Sequence, residues 1–261
     1  GELITIDPFT DKVTRTMKVG PEPNQLAVTP DGKFAYVPVN DGHWEVIDLA
    51  AGKILKRIFT DGRPHNTLCS PDGKRMYLAP MGSPHKVTIV DVAKHEPIGE
   101  IPFSNVVRPV ALSADEKRLY AEVDGLVGIE VADVATRKMI HRVPAELAPE
   151  LKTQASRSHG IGIRPDQKEI WTCDVEHGLV QVFDRTVEPP KQIATIEMGG
   201  TVYWLTFSPD GKVCYVSVRG KNDVAAVDTE TKKIFTRIPA GEVPKRLIVL
   251  TLPDKKPAAA N

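Results

Sequence analysis

One turn fixes what this chain can fold into. "TPDGK" at Thr29–Lys33 returns as "SPDGK" at Ser70 and Ser208, and degenerates to "SADEK" at Ser113 and "RPDQK" at Arg164. An aromatic follows each turn at a constant offset: Tyr36, Tyr77, Tyr120, Trp171 and Tyr215. A third anchor, an apolar run ending in Asp, recurs at Asp7, Asp48, Asp91, Asp133, Asp184 and Asp228. Successive Asp anchors lie 41, 43, 42, 51 and 44 residues apart, a single register with one insertion of about eight residues.

Each unit reads as four short strands, A to D. Strand A precedes the Pro-Asp-Gly turn, B holds the aromatic, C ends in Asp, and D follows as in "KILKRIF". Proline presets φ, Asp bonds its own backbone and Gly accepts φ > 0, so the A–B reversal is tight. Four-stranded antiparallel units at this period predict an all-β fold, a β-propeller, in which radial repetition leaves only short sheet edges. The expected blades span 21–62, 63–105, 106–157, 158–200 and 201–243. A closing blade combines 1–20 with 244–252 by pairing the terminal strands, and 253–261 forms a tail. That makes six blades as given, or seven if a whole repeat is missing, in one domain.

"PNQLAVTPDGKFAYVPVN" and "WLTFSPDGKVCYVSVRGKNDVAAVDTETKKIFTRI" resemble the YVTN family of β-propeller repeats over essentially the whole chain. The resemblance implies a periplasmic or extracellular protein. It leaves function open, because sites are grafted on folds.

The 34 basic and 34 acidic residues of the 261 cancel, so nucleic acid is not an expected partner. No apolar run is long enough to span a bilayer. Cys69, Cys173 and Cys214 lack C-x-x-C spacing, which argues against a disulfide framework, a zinc knuckle or covalent haem attachment. Neither a P-loop nor a G-x-G-x-x-G opening a helix is present, so no nucleotide cofactor is expected. A monomer is expected.

With strands alternating in direction, the D–A and B–C loops share one face of the disc. Aligning the first strands puts Asn24, His65, Arg108, His159 and Tyr203 at one position, with Lys245 a sixth, less securely aligned member, as a ring around the channel mouth. The longest connection, Val143–Gly160, delivers Arg157 to the same ring. His43, His85 and His177 fall in B–C loops of that face. With His65 and His159 they form a candidate set for a transition metal ion, since imidazole is a common ligand. Arg108, lying between the two ring histidines, favours an anionic ligand at least as well. Loops also favour polar residues, so any single histidine more often serves a hydrogen bond than a ligand.

The leading expectation is a binding propeller holding a small or anionic ligand, a metal ion or a protein partner at this mouth. The alternatives are a lyase, hydrolase or oxidoreductase using His65, His159 and Arg108, and an interaction scaffold. Asp41, Asp124, Asp174, Glu176 and Asp223 lie near the same loops and are expected to be mostly solvated. Trp44 and Trp204 are expected to pack.

Overall fold

The computed structural model describes residues 1–252 and 254. It contains five four-stranded antiparallel sheets in simple chain order and one two-stranded sheet. Strand A is Ala27–Val28, Arg63–Cys69, Val107–Leu112, Ser158–Ile163 and Val202–Phe207 in blades 1 to 5. Strand B is Phe34–Val39, Arg75–Met81, Arg118–Val123, Glu169–Asp174 and Val213–Val218. The repeat register therefore holds at every blade.

The turn motif forms as its chemistry requires. In blade 1, Thr29 Oγ1 donates to Asp31 Oδ1 at 2.6 Å, the Lys33 N–H donates to the same oxygen, and the Phe34 N–H donates to Thr29 Oγ1. Ser70, Ser113 and Ser208 repeat this set with Asp72, Asp115 and Asp210. The bonds hold the turn carboxylates below their ordinary range, Asp72 at about 2. Glu116 and Gln167 take φ of 55° and 64° where blades 1, 2 and 5 use glycine, so blades 3 and 4 keep the turn at some strain.

Apolar residues alternate to both sheet faces, and each blade interface is one cluster. Tyr36 and Trp44 of blade 1 meet Met76 and Leu78 of blade 2. Tyr77 and Ile101 meet Val107 and Leu119 of blade 3. Tyr120 and Ile129 meet Ile170 and Phe183 of blade 4, and Trp171 and Val182 meet Leu205 and Cys214 of blade 5. The repeating aromatic is thus the plug between successive blades. Trp44 is buried as expected and donates to Thr67 Oγ1 across the first interface at 2.8 Å. Cys173 and Cys214 are free and buried, with thiol pKa values pushed well up by desolvation. In native protein both are expected to resist a thiol reagent at pH 8 and to titrate fully after denaturation.

The N-terminal hairpin, Glu2–Asp7 with Lys12–Lys18, occupies the C and D positions of a further blade and packs Leu3, Met17 and Val19 on blade 1. The expected pairing of this hairpin with 244–252 is not formed: those residues carry no strand ladder. The reason is geometric. Strands A and C of a blade are separated by B, so hydrogen bonds cannot join the two segments directly. Residues 244–252 are instead tied to blade 5, where Ser217 Oγ donates to the Lys245 carbonyl at 2.6 Å. Of the expected tail 253–261, only Asp254 lies among the described residues.

A basic cavity at the channel mouth

Four first strands share a feature that explains the ring. Their ladders slip between Pro64 and Asn66, Val107 and Val110, Ser158 and Ile161, and Val202 and Trp204. The slips fall at His65, Arg108, His159 and Tyr203, the residues aligned from sequence. A bulge leaves a residue unpaired and re-aims its side chain. In blade 1, Asn24 lies just before a two-residue strand.

Five of the seven expected ligand residues, Asn24, His65, Arg108, Tyr203 and Lys245, line one cavity of about 700 Å³, together with Gln25, Arg63 and Arg246. His159 stands behind them. It is 1% exposed, stacks on Tyr203 at 4.2 Å between centroids, and meets His65 edge-on at 6.0 Å. Arg157 does not reach the cavity lining; it pairs with Glu176 at 3.3 Å. Trp204 packs as expected, with the added task of seating the Arg246 guanidinium at 5.0 Å from its ring.

The cavity is electrostatically one-sided. Arg63, Arg108, Lys245 and Arg246 line it, and among the described residues no carboxylate does. Arg219 adds a further cation, 4.9 Å from the Tyr203 centroid, with Lys245 at 5.5 Å. Among the described residues only Arg108 is neutralised, by a bidentate pair with Asp124 at 2.6 and 3.0 Å. Arg246 has no carboxylate partner among the described residues; it approaches His65 Nε2 at 3.4 Å. Desolvation lowers its pKa to about 10.

Burial, reinforced by the same field, keeps the two histidines neutral. Desolvation, then Arg246, Arg108 and Arg63, push His65 down to about 3. Desolvation, then His65, Arg246 and Arg108, push His159 down to about 2. On strand B of blade 3, Glu122 is fully buried near the Gly160 backbone N–H; burial raises its pKa well above the ordinary carboxylate range.

The other candidate ligands disperse. His43 pairs with Asp41 at 2.9 Å, and His177 with Asp174 at 2.7 Å. His85 does not line the cavity; its carbonyl accepts the Phe103 N–H. Of the five histidines in the candidate metal set, only His65 and His159 come together. Among the described residues no three His, Cys, Asp or Glu side chains converge as a metal-ligating group. The five named carboxylates are likewise not free in solvent: Asp41, Asp124, Asp174 and Glu176 pair as above, and Asp223 takes Arg237 at 3.0 Å.

Arg246, Arg63 and Arg219 were not expected from sequence. Arg246 adjoins Lys245, the least securely aligned ring position, so its signal was one residue away. Arg63 and Arg219 lie outside the aligned position.

Four-stranded antiparallel sheets arrayed around this cavity define a β-propeller. No family model matches the chain, so the YVTN likeness rests on its repeats. The chain is 25% identical over 249 residues to the seven-bladed β-propeller protein Rv1057 of Mycobacterium tuberculosis, covering 84% of this chain and 63% of that one. It is 26% identical over 260 residues to a nitrite reductase of Stutzerimonas stutzeri, covering 92% of this chain and 42% of that one. The chain therefore spans less than two thirds of these curated relatives. Among solved structures, a chain of Kuenenia stuttgartiensis hydrazine synthase superposes with a TM-score of 0.81 at 24% identity, over 93% of this chain and 82% of that one. No helix among the described residues is long and apolar enough to cross a membrane.

Proposed function

We propose that this propeller binds a small anionic ligand with a planar or aromatic face in the channel-mouth cavity. The observation that carries the reading is the convergence of Arg63, Lys245 and Arg246 on one cavity without a lining carboxylate among the described residues, in a chain whose formal charge is zero. Guanidinium groups suit carboxylate or phosphate recognition, and partial desolvation strengthens each contact. Tyr203 supplies a flat wall, and neutral His65 an uncharged hydrogen-bonding group. In this reading the chain has six blade positions, the sixth held by the N-terminal hairpin, and a periplasmic or extracellular site. That placement rests on the resemblance of the repeats.

The test is calorimetric titration with inorganic phosphate and a series of aromatic mono- and dicarboxylates. A member of the series is expected to bind with salt-dependent affinity, and Arg246→Gln to weaken it by roughly 2 kcal/mol or more, because a buried charged contact is lost. Binding that is absent throughout the series, or indifferent to Arg246→Gln, would sink the proposal.

A catalytic use of the same cavity is the second reading. It is favoured by His65, which lines the cavity and whose Nδ1 is buried without a partner, and by the likeness to a nitrite reductase. His65→Gln would then abolish turnover of a bound ligand while leaving its affinity nearly intact.

A further inference from the structure

The same face carries a second site of opposite character. The insertion after blade 3 is moored to strand D of blade 4, Lys191–Glu197, by one side chain: the Glu146 N–H donates to Gln192 Oε1 at 2.7 Å, and Gln192 Nε2 donates to the Glu146 carbonyl. The insertion's single 3-10 turn, Leu151–Thr153, follows. Between the insertion and blade 4 lies a groove of about 450 Å³.

Three carboxylates line it, Glu146 and Glu150 from the insertion and Glu197 from strand D. None belongs to an ion pair or side-chain hydrogen bond among the described residues, whereas the other loop carboxylates discussed above all do. Lys221, whose stem lies against Gly199 and Gly200 at the groove edge, pairs with none of them.

An independent observation comes from beneath. His177 lines the groove with its side chain 1% exposed. Its Nδ1 is held at 2.7 Å by Asp174, which also accepts from Gln181 Nε2 at 3.0 Å and from Ser156 Oγ. Asp174 is an acceptor throughout, so the neutral ring carries its proton on Nδ1. That leaves a lone pair on Nε2, which is buried and has no partner among the described residues. An imidazole that lines the groove with three unpaired carboxylates offers acceptors to a donor that the described residues do not supply. Leu147, Leu151 and Leu179 add apolar wall for a stem.

We infer that this groove binds an alkylammonium or guanidinium group on an apolar stem, either a free amine or a lysine or arginine side chain of a protein. The cation's donors satisfy His177 Nε2 and the glutamates, while the stem lies on the leucines. The site is separate from the basic cavity and does not depend on it.

The experiment is calorimetric titration of the full chain with 1,5-diaminopentane, with agmatine, and with a blocked tetrapeptide containing one lysine. At least one cation is expected to bind saturably at one site, and the Glu150→Gln, Glu197→Gln double variant to weaken it about tenfold, the sum of two modest exposed ion pairs. Both glutamates are exposed, so this variant keeps the fold; His177→Gln is the second probe and is expected to weaken binding without altering anion binding at the cavity. Tighter binding of the peptide than of the free amines assigns the source to a protein, and the reverse assigns it to a small amine. Absence of saturable binding at millimolar concentration, an affinity unchanged in the double variant, or equal binding of glutarate would overturn the inference.

Discussion

Lowering the pH from 7 to 4 is expected to unfold this protein through His65 and His159 rather than through its carboxylates at large. Both imidazoles are depressed in the folded state, to about 3 and about 2, from an ordinary value of 6.5. A base whose folded pKa lies below its unfolded value contributes stability that is complete above pH 6.5. That stability is lost as pH falls toward the folded pKa, because the unfolded chain binds a proton the folded chain refuses. At 1.36 kcal/mol per pH unit the loss has an upper limit on the order of 4 kcal/mol per histidine. Two such losses rival the whole net stability of a typical domain, about 5–15 kcal/mol. Glu122 works in the opposite sense. Its folded pKa is raised, so its contribution is intact below about 4.5 and declines as pH rises, which returns part of the loss on acidification. Two histidines against one glutamate leave a net fall in stability. Denaturant midpoints at pH 7.5, 6, 5 and 4 should show that slope, and a His65→Gln, His159→Gln double variant should flatten it between pH 6.5 and 4. An unchanged slope in the double variant would mean that other groups govern acid unfolding.

That behaviour traces to a ring position visible in the sequence, but the geometry of the ring was not. The turn motif and the Asp anchors define blade register because each is a local hydrogen-bonding unit, readable wherever Thr29 or Ser70 precedes its Asp. The bulges at His65, Arg108, His159 and Tyr203 depend on which residue of strand B each faces, and spacing along one strand does not encode that. The five histidines do share a face, yet strand A is innermost in a blade and the B–C loops lie farther out. His43, His85 and His177 are therefore carried away from the axis, and the candidate metal set separates. Arg157 follows the same logic: the insertion has no repeat to align it, and its path ends in a pair with Glu176. The terminal closure differs from expectation because an A segment and a C–D hairpin follow one another in the repeat register but are one strand apart in a sheet. The paired carboxylates differ from expectation because Arg108–Asp124 joins a strand A bulge to the B–C connection 16 residues on, a pairing that the repeat does not fix.

Gly160→Ala is expected to be the most damaging single-methyl change near the site. Gly160 follows His159 in the blade 4 bulge with φ of 105°, in the left-handed half of the map that L side chains rarely adopt. A Cβ there would stand 2.5 Å from the Tyr203 carbonyl oxygen and 2.8 Å from Trp204 Cα, both backbone atoms that cannot rotate away. Blades 4 and 5 would have to separate, and with them the His159–Tyr203 stack and the Trp204 face that seats Arg246. Strain and lost packing together should cost about 3 kcal/mol or more, lowering Tm by roughly 6–12 °C for a chain of this size. Gly162→Ala, two residues on, is the control. Its Cβ would meet Leu205 Cδ1 at 2.7 Å and the Phe207 ring at 3.0 Å, side chains able to shift, and its φ is ordinary, so a smaller loss is expected. Anion affinity should follow the same order, because the wall formed by Tyr203 and Arg246 rests on this contact. Equal melting temperatures for the two variants would show that the blade 4–blade 5 approach is looser than these distances require.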